Sequence, residues 1–263
     1  MSLIAVASCC NQILKEVEMF SADQVYVVFG ASSGIGKACA LSLIANGATI
    51  VGIGRNAERL ETAATESNHP ERFHIEIKDV AEDVEGLSAY IKELRIKYGK
   101  LSGLVYSAGV SELTPIRMWS YENARKFFDI NYFAPISILK GFSDKRNVNT
   151  GNVSCVLLAS AAALLSDKGH CTYSGTKAAL VASMRSIAKE VVGSGIRVNC
   201  VSPSNILTPM LGDPNGDYVK SQEALYPLGL GKVEDVSNLV EFLLSDKAKW
   251  ITGQNYVVDC ASF

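Results

Sequence analysis

Short runs of apolar, β-branched residues alternate with longer amphipathic segments along most of the chain. The apolar runs predict seven strands, at Val25–Phe29, Thr49–Ile53, Phe73–Ile77, Gly103–Tyr106, Val153–Ala159, Arg197–Ser202 and Tyr256–Asp259. The amphipathic segments predict helices at Ile35–Ala45, Val84–Tyr98, Tyr121–Phe142, Ser174–Val192 and Glu234–Leu244. Strands that are apolar throughout lie in sheets covered on both faces. The pattern therefore predicts an α/β fold, a doubly wound parallel sheet of seven strands with helices on both faces.

No stretch resembles a linker or an internal repeat. We therefore expect a single domain over residues 24–263, preceded by an N-terminal extension at residues 1–23. The segment Leu207–Leu230 carries three prolines and several glycines and has no clear period. In such a fold it would lie over the carboxyl ends of the strands, where ligands bind.

Composition excludes several functional classes. Of the 263 residues, 48% are hydrophobic and 20% charged, and the net charge is −2, which gives no electrostatic case for binding nucleic acid or an anionic membrane. The seven cysteines are odd in number and form no C-x-x-C, and the three histidines have no metal-ligand spacing. The apolar stretch at residues 1–10 lacks a basic residue and is too short for an export signal. We expect free thiols, no metal and a cytoplasmic protein.

A glycine-rich turn follows the first strand and opens the first helix. Gly30, Gly34 and Gly36 have the spacing G-x-x-x-G-x-G, with Ser32 and Ser33 between them. Glycine permits a tight turn and close backbone approach, while a helix N-terminus offers N–H groups to a pyrophosphate. A plain strand-to-helix turn is the alternative. Because the loop lies between the first strand and a helix, it favours a Rossmann-type dinucleotide site.

The end of the second strand bears on the choice of cofactor. An NAD-binding site usually carries an acidic residue here, whereas this chain has Gly54 followed by Arg55. A guanidinium can hold a 2′-phosphate through two hydrogen bonds. We predict NADP(H) in preference to NAD(H); the alternative is that Arg55 is an ordinary solvated residue.

Tyr173 and Lys177 are four residues apart at the start of a predicted helix and so lie on one face. A free phenol titrates near pH ~10, and a nearby cation lowers that value. The pair is suited to donating a proton to a carbonyl or accepting one from an alcohol. A lone Y-x-x-x-K also occurs by chance on surface helices, and Tyr173 could simply be a packing residue.

With the glycine loop, this pair resembles the short-chain dehydrogenase/reductase family, over about Val25 to Asp259. The resemblance implies four catalytic residues: Asn131, Ser160, Tyr173 and Lys177. It implies cofactor contacts at Gly30, Ser32, Ser33, Gly34, Ile35, Gly36, Arg55, Asn56, Asp79, Val80, Ser107, Ala108, Gly109, Tyr173, Lys177, Pro203, Ile206 and Thr208. The chain departs from the family's motifs at Phe29, Tyr106–Ser107, Ser204 and Cys260–Ala261.

The resemblance also implies roles and partners. Ser160 would polarise a substrate carbonyl, Tyr173 would exchange the proton, Lys177 would lower the tyrosine pKa and bind the nicotinamide ribose, and Asn131 would anchor a water. An apolar pocket is expected from Val110, Leu113, Leu164, Leu165, Cys171, Met210 and Leu211.

Two activities fit best, reduction of a 3-oxoacyl group on a carrier protein or coenzyme A and reduction of a small free ketone. A catalytically silent NADP-binding regulator or scaffold is the alternative class. Family members commonly form dimers or tetramers, so we expect a homodimer or homotetramer. The sequence leaves open the physiological substrate, the reaction direction and the stereochemistry.

Overall fold

A computed structural model describes residues 19–262 and confirms the predicted α/β architecture. Seven strands form one parallel sheet in the order β3-β2-β1-β4-β5-β6-β7. They are β1 (Val25–Phe29), β2 (Thr49–Gly54), β3 (Phe73–Ile77), β4 (Leu101–Tyr106), β5 (Val153–Leu158), β6 (Ile196–Pro203) and β7 (Asn255–Val258). The strand order reverses between β1 and β4. In open α/β sheets a ligand crevice forms beyond the carboxyl ends of the strands at such a point.

Helices cover both faces of the sheet. They are α1 (Gly34–Ala45), α2 (Ala57–Glu66), α3 (Leu87–Tyr98), α4 (Tyr121–Phe128), α5 (Ala134–Ser143), α6 (Cys171–Val191), α7 (Asp217–Glu223) and α8 (Val233–Leu244). One core lies between the sheet and α3, α5 and α6, and the other between the sheet and α1, α2 and α8. Within β1, Val27 and Phe29 belong to the first core, and Tyr26 and Val28 to the second. This alternation explains why the strand is apolar at every position.

The predicted helix Tyr121–Phe142 is interrupted. A π-helical turn at Asp129–Phe133 separates α4 from α5, and Asn131 lies inside it. Such turns insert one residue into the helical ladder and are frequent at functional sites. The helical period of apolar residues continues through the inserted turn. The sequence pattern therefore predicts one helix, whereas the backbone forms two helices, α4 and α5.

Two helices have no counterpart among the predicted elements. α2 begins after Asn56, whose side chain caps it by accepting from the Arg59 N–H at 2.8 Å, but it buries only Leu60, Ala63 and Ala64. α7 lies within the segment predicted to be irregular and buries only Val219. Helices with such narrow apolar faces give a weak periodic signal.

Most of the predicted extension 1–23 lies outside the described residues, so its boundary stays a prediction. Phe20, near its end, is buried and packs edge-on against Tyr26, with ring centroids 5.3 Å apart. Within residues 19–262, no helix has both the length and the apolarity to cross a bilayer. The same residues contain no cluster of metal-ligating side chains, and Cys39, Cys155, Cys171, Cys200 and Cys260 are free thiols.

Candidate active site

The glycine turn after β1 is shaped by close backbone contacts. Gly30 has φ +85°, and a Cβ there would lie 2.8 Å from the Ala108 nitrogen. A Cβ on Gly36 would lie 2.3 Å from the Gly30 carbonyl oxygen. Both positions therefore require glycine. Because Ser33 makes no side-chain cap, the N-terminus of α1 faces the crevice with its N–H groups available to an anion.

The end of β2 carries a cation and no acidic side chain. The Arg55 guanidinium lies 3.5 Å from the Asp79 carboxylate, but its side chain is 70% exposed. An exposed ion pair of this length contributes little, so the guanidinium remains free to bind another anion. A Cβ on Gly54 would lie 3.3 Å from the Ser32 hydroxyl. The Ser32 hydroxyl therefore lies next to the backbone of Gly54.

The departures from the family motifs at Phe29 and Tyr106 form one packed pair. Their rings lie 5.7 Å apart, and both side chains are fully buried. The Tyr106 hydroxyl donates to the Ile130 carbonyl at 2.6 Å, next to Asn131. Ser107 follows, and its N–H bonds to the Phe29 carbonyl at 2.9 Å. The substituted residues therefore support the end of β4 through this ring packing and these two hydrogen bonds.

Ser160 and Tyr173 both line the crevice. Ser160 follows β5, and its hydroxyl accepts from the Ala162 N–H at 3.2 Å. Tyr173 lies in the first turn of α6. Burial raises the pKa of Tyr173, and the nearby Ser160 hydroxyl offsets part of that rise. Both side chains line the cavity, so their hydroxyls can act on a single substrate oxygen.

Lys177 lies one turn further along α6 and is buried. Its ammonium nitrogen is 5.9 Å from the centre of the Tyr173 ring and donates to the Leu158 carbonyl at 2.7 Å. Burial lowers the pKa of Lys177 to about 8. The sequence predicts that Lys177 lowers the pKa of Tyr173, and this role stays a prediction. In this structure the ammonium donates to the Leu158 carbonyl.

Asn131 is fully buried and does not face the crevice. Its side chain makes two hydrogen bonds of 3.0 Å with the backbone N–H and C=O of Val110, and it donates to Thr176 Oγ1 at 3.2 Å. A Cβ on Gly109 would lie 3.2 Å from Asn131 Oδ1 and 3.7 Å from the Lys177 nitrogen. The amide therefore fixes the loop after β4 against α6, in the neighbourhood of the lysine.

One cavity of about 810 Å³ runs across the carboxyl ends of the strands. Most predicted site residues line it: Gly30, Ser32, Ser33, Gly34, Ile35, Arg55, Asp79, Val80, Ser107, Ala108, Gly109, Ser160, Tyr173, Lys177, Pro203, Ile206 and Thr208. Three predicted site residues do not line the cavity. Gly36 shapes the glycine turn, Asn56 caps α2, and Asn131 lies beneath the cavity lining.

Of the residues expected in an apolar substrate pocket, Val110, Leu113, Leu165, Met210 and Leu211 line the cavity. Leu164 and Cys171 are exposed and do not line it. The structure adds polar residues that sequence patterns did not single out for this cavity: Glu112, Asp167, Gln222 and Tyr226. Only the fold brings these separate loops together, so no local motif marks them.

The segment over the cavity is attached to the end of β6 by side chains. Ser204, which replaces a family glycine, bonds to the Tyr226 hydroxyl at 2.6 Å. Asn205 donates to Gln222 on α7 at 2.9 Å. Backbone bonds between Leu207 and Gly231 and between Gly231 and Asn205 join the two ends of the segment.

Comparison with known proteins identifies the class. A family model described as enoyl-(acyl carrier protein) reductase matches residues 30–260. Among curated relatives, L-xylulose reductase of Caenorhabditis elegans is 31% identical over 90% of this chain and 94% of the relative. The 3-oxoacyl-(acyl-carrier-protein) reductase FabG of Thermotoga maritima is 28% identical over 90% and 96% of the two chains.

Solved structures with the same fold support the same family. A dehydrogenase/reductase from Sinorhizobium meliloti superposes with a TM-score of 0.86 at 27% identity, covering 94% of this chain and 97% of the other. A short-chain dehydrogenase from Burkholderia cenocepacia in complex with NADP gives 0.84 at 25% identity, covering 91% and 98%. The chain therefore belongs to the short-chain dehydrogenase/reductase family, whose members are oxidoreductases that use a nicotinamide cofactor.

Proposed function

We propose that this protein is an NADPH-dependent carbonyl reductase, acting reversibly between a ketone and a secondary alcohol. The observation that carries the proposal is that Ser160, Tyr173 and the buried Lys177 line one cavity, with the lysine nitrogen 5.9 Å from the centre of the Tyr173 ring. Two hydroxyl donors in one cavity suit an oxygen that becomes an alkoxide, as in carbonyl reduction.

The chain's own residues have separate tasks in this reaction. A bound nicotinamide supplies or accepts the hydride. Ser160 donates to the substrate oxygen and stabilises the negative charge that develops there, and Tyr173 transfers the proton to it. Lys177 supplies positive charge beside the phenol and binds the cofactor ribose. Asn131 holds the loop of Gly109 against α6 and so fixes the wall of the site.

The test is NADPH oxidation, followed at 340 nm, with a broad panel of ketones. Tyr173→Phe removes the proton donor and keeps the ring, so we expect kcat to fall by about 10²- to 10⁴-fold. Tyr121→Phe is the matched control because Tyr121 is exposed on α4 and outside the cavity. Equal rates in the wild type and Tyr173→Phe across the panel would instead favour a catalytically silent cofactor-binding regulator.

The preference for NADPH is part of the proposal. Support comes from Arg55, which lines the cavity next to Gly54, where no carboxylate repels a 2′-phosphate. Arg55→Ala should lower the ratio of kcat/KM for NADPH to that for NADH by about 10- to 100-fold, since a phosphate loses a charged hydrogen bond. Arg59→Ala, one turn along α2 and outside the cavity, is the control. An unchanged ratio in Arg55→Ala would contradict the assignment.

We also propose a cytoplasmic homodimer or homotetramer formed through α4, α5 and α6. Ala178 and Ala182 are exposed along α6, and Phe133, which immediately precedes α5, exposes an aromatic ring. Small residues allow helices of two subunits to approach closely. Size-exclusion chromatography with light scattering measures the assembly directly, and a monomeric mass at micromolar concentration would contradict it.

A further inference from the structure

Ionisable side chains line the cavity at both of its ends. Arg55, Lys78 and Asp79 follow β2 and β3, at the end assigned to the adenosine part of the cofactor. Glu112 and Asp167 lie in the loops after β4 and β5, at the end that contains Ser160 and Tyr173. The substrate half of the cavity is therefore lined by carboxylates.

These two carboxylates are not neutralised by their surroundings. Among the described residues, neither side chain takes part in an ion pair or a hydrogen bond. Lys168, Lys220 and Lys232 are on neighbouring segments but do not line the cavity. Lys177 also lines this half, but its ammonium is buried and donates to the Leu158 carbonyl, not to either carboxylate. Glu112 and Asp167 thus present two negative charges that are not paired with a cation.

The remaining lining of this half is mainly apolar, with Leu113, Leu165, Met210, Leu211 and Leu225 on three different loops. Apolar walls provide affinity for a compact organic substrate but do not discriminate by charge. A cleft lined by one sign of charge repels ligands of that sign and reduces their local concentration.

We propose that Glu112 and Asp167 are specificity-determining residues that select uncharged carbonyl compounds against anionic ones, including acyl thioesters of coenzyme A or an acidic carrier protein. This inference rests on the proposed carbonyl reductase activity and names its substrate class. The relatives do not decide the point, because their names include both a sugar reductase and a 3-oxoacyl-carrier-protein reductase.

The test compares pairs of ketones that differ in charge. The pairs are ethyl acetoacetate with acetoacetate, ethyl levulinate with levulinate, and ethyl pyruvate with pyruvate, assayed with NADPH at pH 8. The quantity measured is the ratio of kcat/KM for the ester to that for the anion. An exposed charge pair changes such a ratio by about 2- to 5-fold, so the double variant Glu112→Gln with Asp167→Asn should lower it by about 4- to 25-fold.

A second readout separates electrostatics from a structural effect. Raising NaCl from 50 to 500 mM should reduce the wild-type ratio and hardly change that of the double variant, because salt screens exposed charges. The control is Glu61→Gln with Glu93→Gln, which removes two exposed carboxylates from α2 and α3, outside the cavity. It should leave both the ratio and its salt dependence as in the wild type.

The outcomes distinguish the two proposals. Two results would contradict the charge selection but not the carbonyl reductase activity. In one, the enzyme turns over ketones while the double variant leaves the ratio of ester to anion unchanged. In the other, the wild type prefers acetoacetyl-CoA to every other substrate. Absence of turnover with every ketone refutes the proposed function, and the substrate class with it.

Discussion

The buried lysine provides a quantitative prediction that does not depend on knowing the substrate. Lys177 lies beneath the cavity with a carbonyl oxygen as its hydrogen-bond acceptor. Burial lowers its pKa from the ordinary 10.5 to about 8. Keeping a charged ammonium there therefore lowers the stability of the folded protein at neutral pH. Lys177→Met removes the titrating group while keeping a chain of similar length.

The sign of the effect follows from proton binding. Between pH 8 and pH 10.5 the unfolded chain keeps the proton on Lys177 and the folded protein releases it, so the free energy of unfolding of the wild type rises with pH in this window. The slope is about 1.4 kcal/mol per pH unit. From pH 7 to pH 9.5 the wild type should gain about 2 kcal/mol relative to Lys177→Met. Because burial raises the pKa of Tyr173, its phenol stays protonated over this range.

The assay is urea unfolding of both proteins at pH 7, 8, 9 and 9.5, with the free energy of unfolding obtained by linear extrapolation. Taking the difference between the two proteins cancels the groups that titrate in both. Lys92→Met serves as the control, because Lys92 is exposed on α3 and its difference from the wild type should stay constant. A constant difference for Lys177→Met as well would refute the lowered lysine pKa.

Three further perturbations follow from the contacts of the site. Ser160→Ala removes one of the two donors to the substrate oxygen, so steady-state kinetics should show kcat reduced by about 10²- to 10³-fold with a smaller change in KM. Tyr106→Phe removes the buried hydroxyl that donates to the Ile130 carbonyl, and urea unfolding should show a loss of about 1 to 2 kcal/mol. Cys260 and Ala261 both have left-handed φ angles, of 56° and 53°, so Cys260→Gly and Ala261→Gly should each raise the melting temperature, with a gain of about 1 kcal/mol. A lower melting temperature in both glycine variants would contradict the strain at these positions.

The strands and most of the residues that line the cavity could be predicted from local patterns. Strands buried on both faces are apolar at every position, and all seven predicted strands are present within a few residues. Glycine spacing and the four-residue separation of Tyr173 and Lys177 are also local, so the cavity could be assigned to particular residues. The hydrogen-bond acceptor of the Lys177 ammonium, here the Leu158 carbonyl, depends on where the ammonium points, which spacing alone does not determine.

Contacts between distant loops could not be predicted in this way. The π-helical turn around Asn131 depends on hydrogen bonds to Val110 and Thr176, which are 21 and 45 residues away. The attachment of α7 to the end of β6 depends on the hydrogen bond from Asn205 to Gln222. The carboxylates Glu112 and Asp167 become a feature of the site only when the sheet places their two loops side by side.

The central claim is that the Ser160 and Tyr173 hydroxyls act on one substrate oxygen beside the nicotinamide. A crystal structure of the protein with NADP⁺ and an unreactive analogue of a ketone or alcohol tests it most directly. We predict that both hydroxyl oxygens lie within about 3 Å of the ligand oxygen, with the ligand carbon against the nicotinamide ring. A well-ordered ligand whose oxygen is held by other residues, with the Tyr173 hydroxyl remote from the nicotinamide, would contradict it.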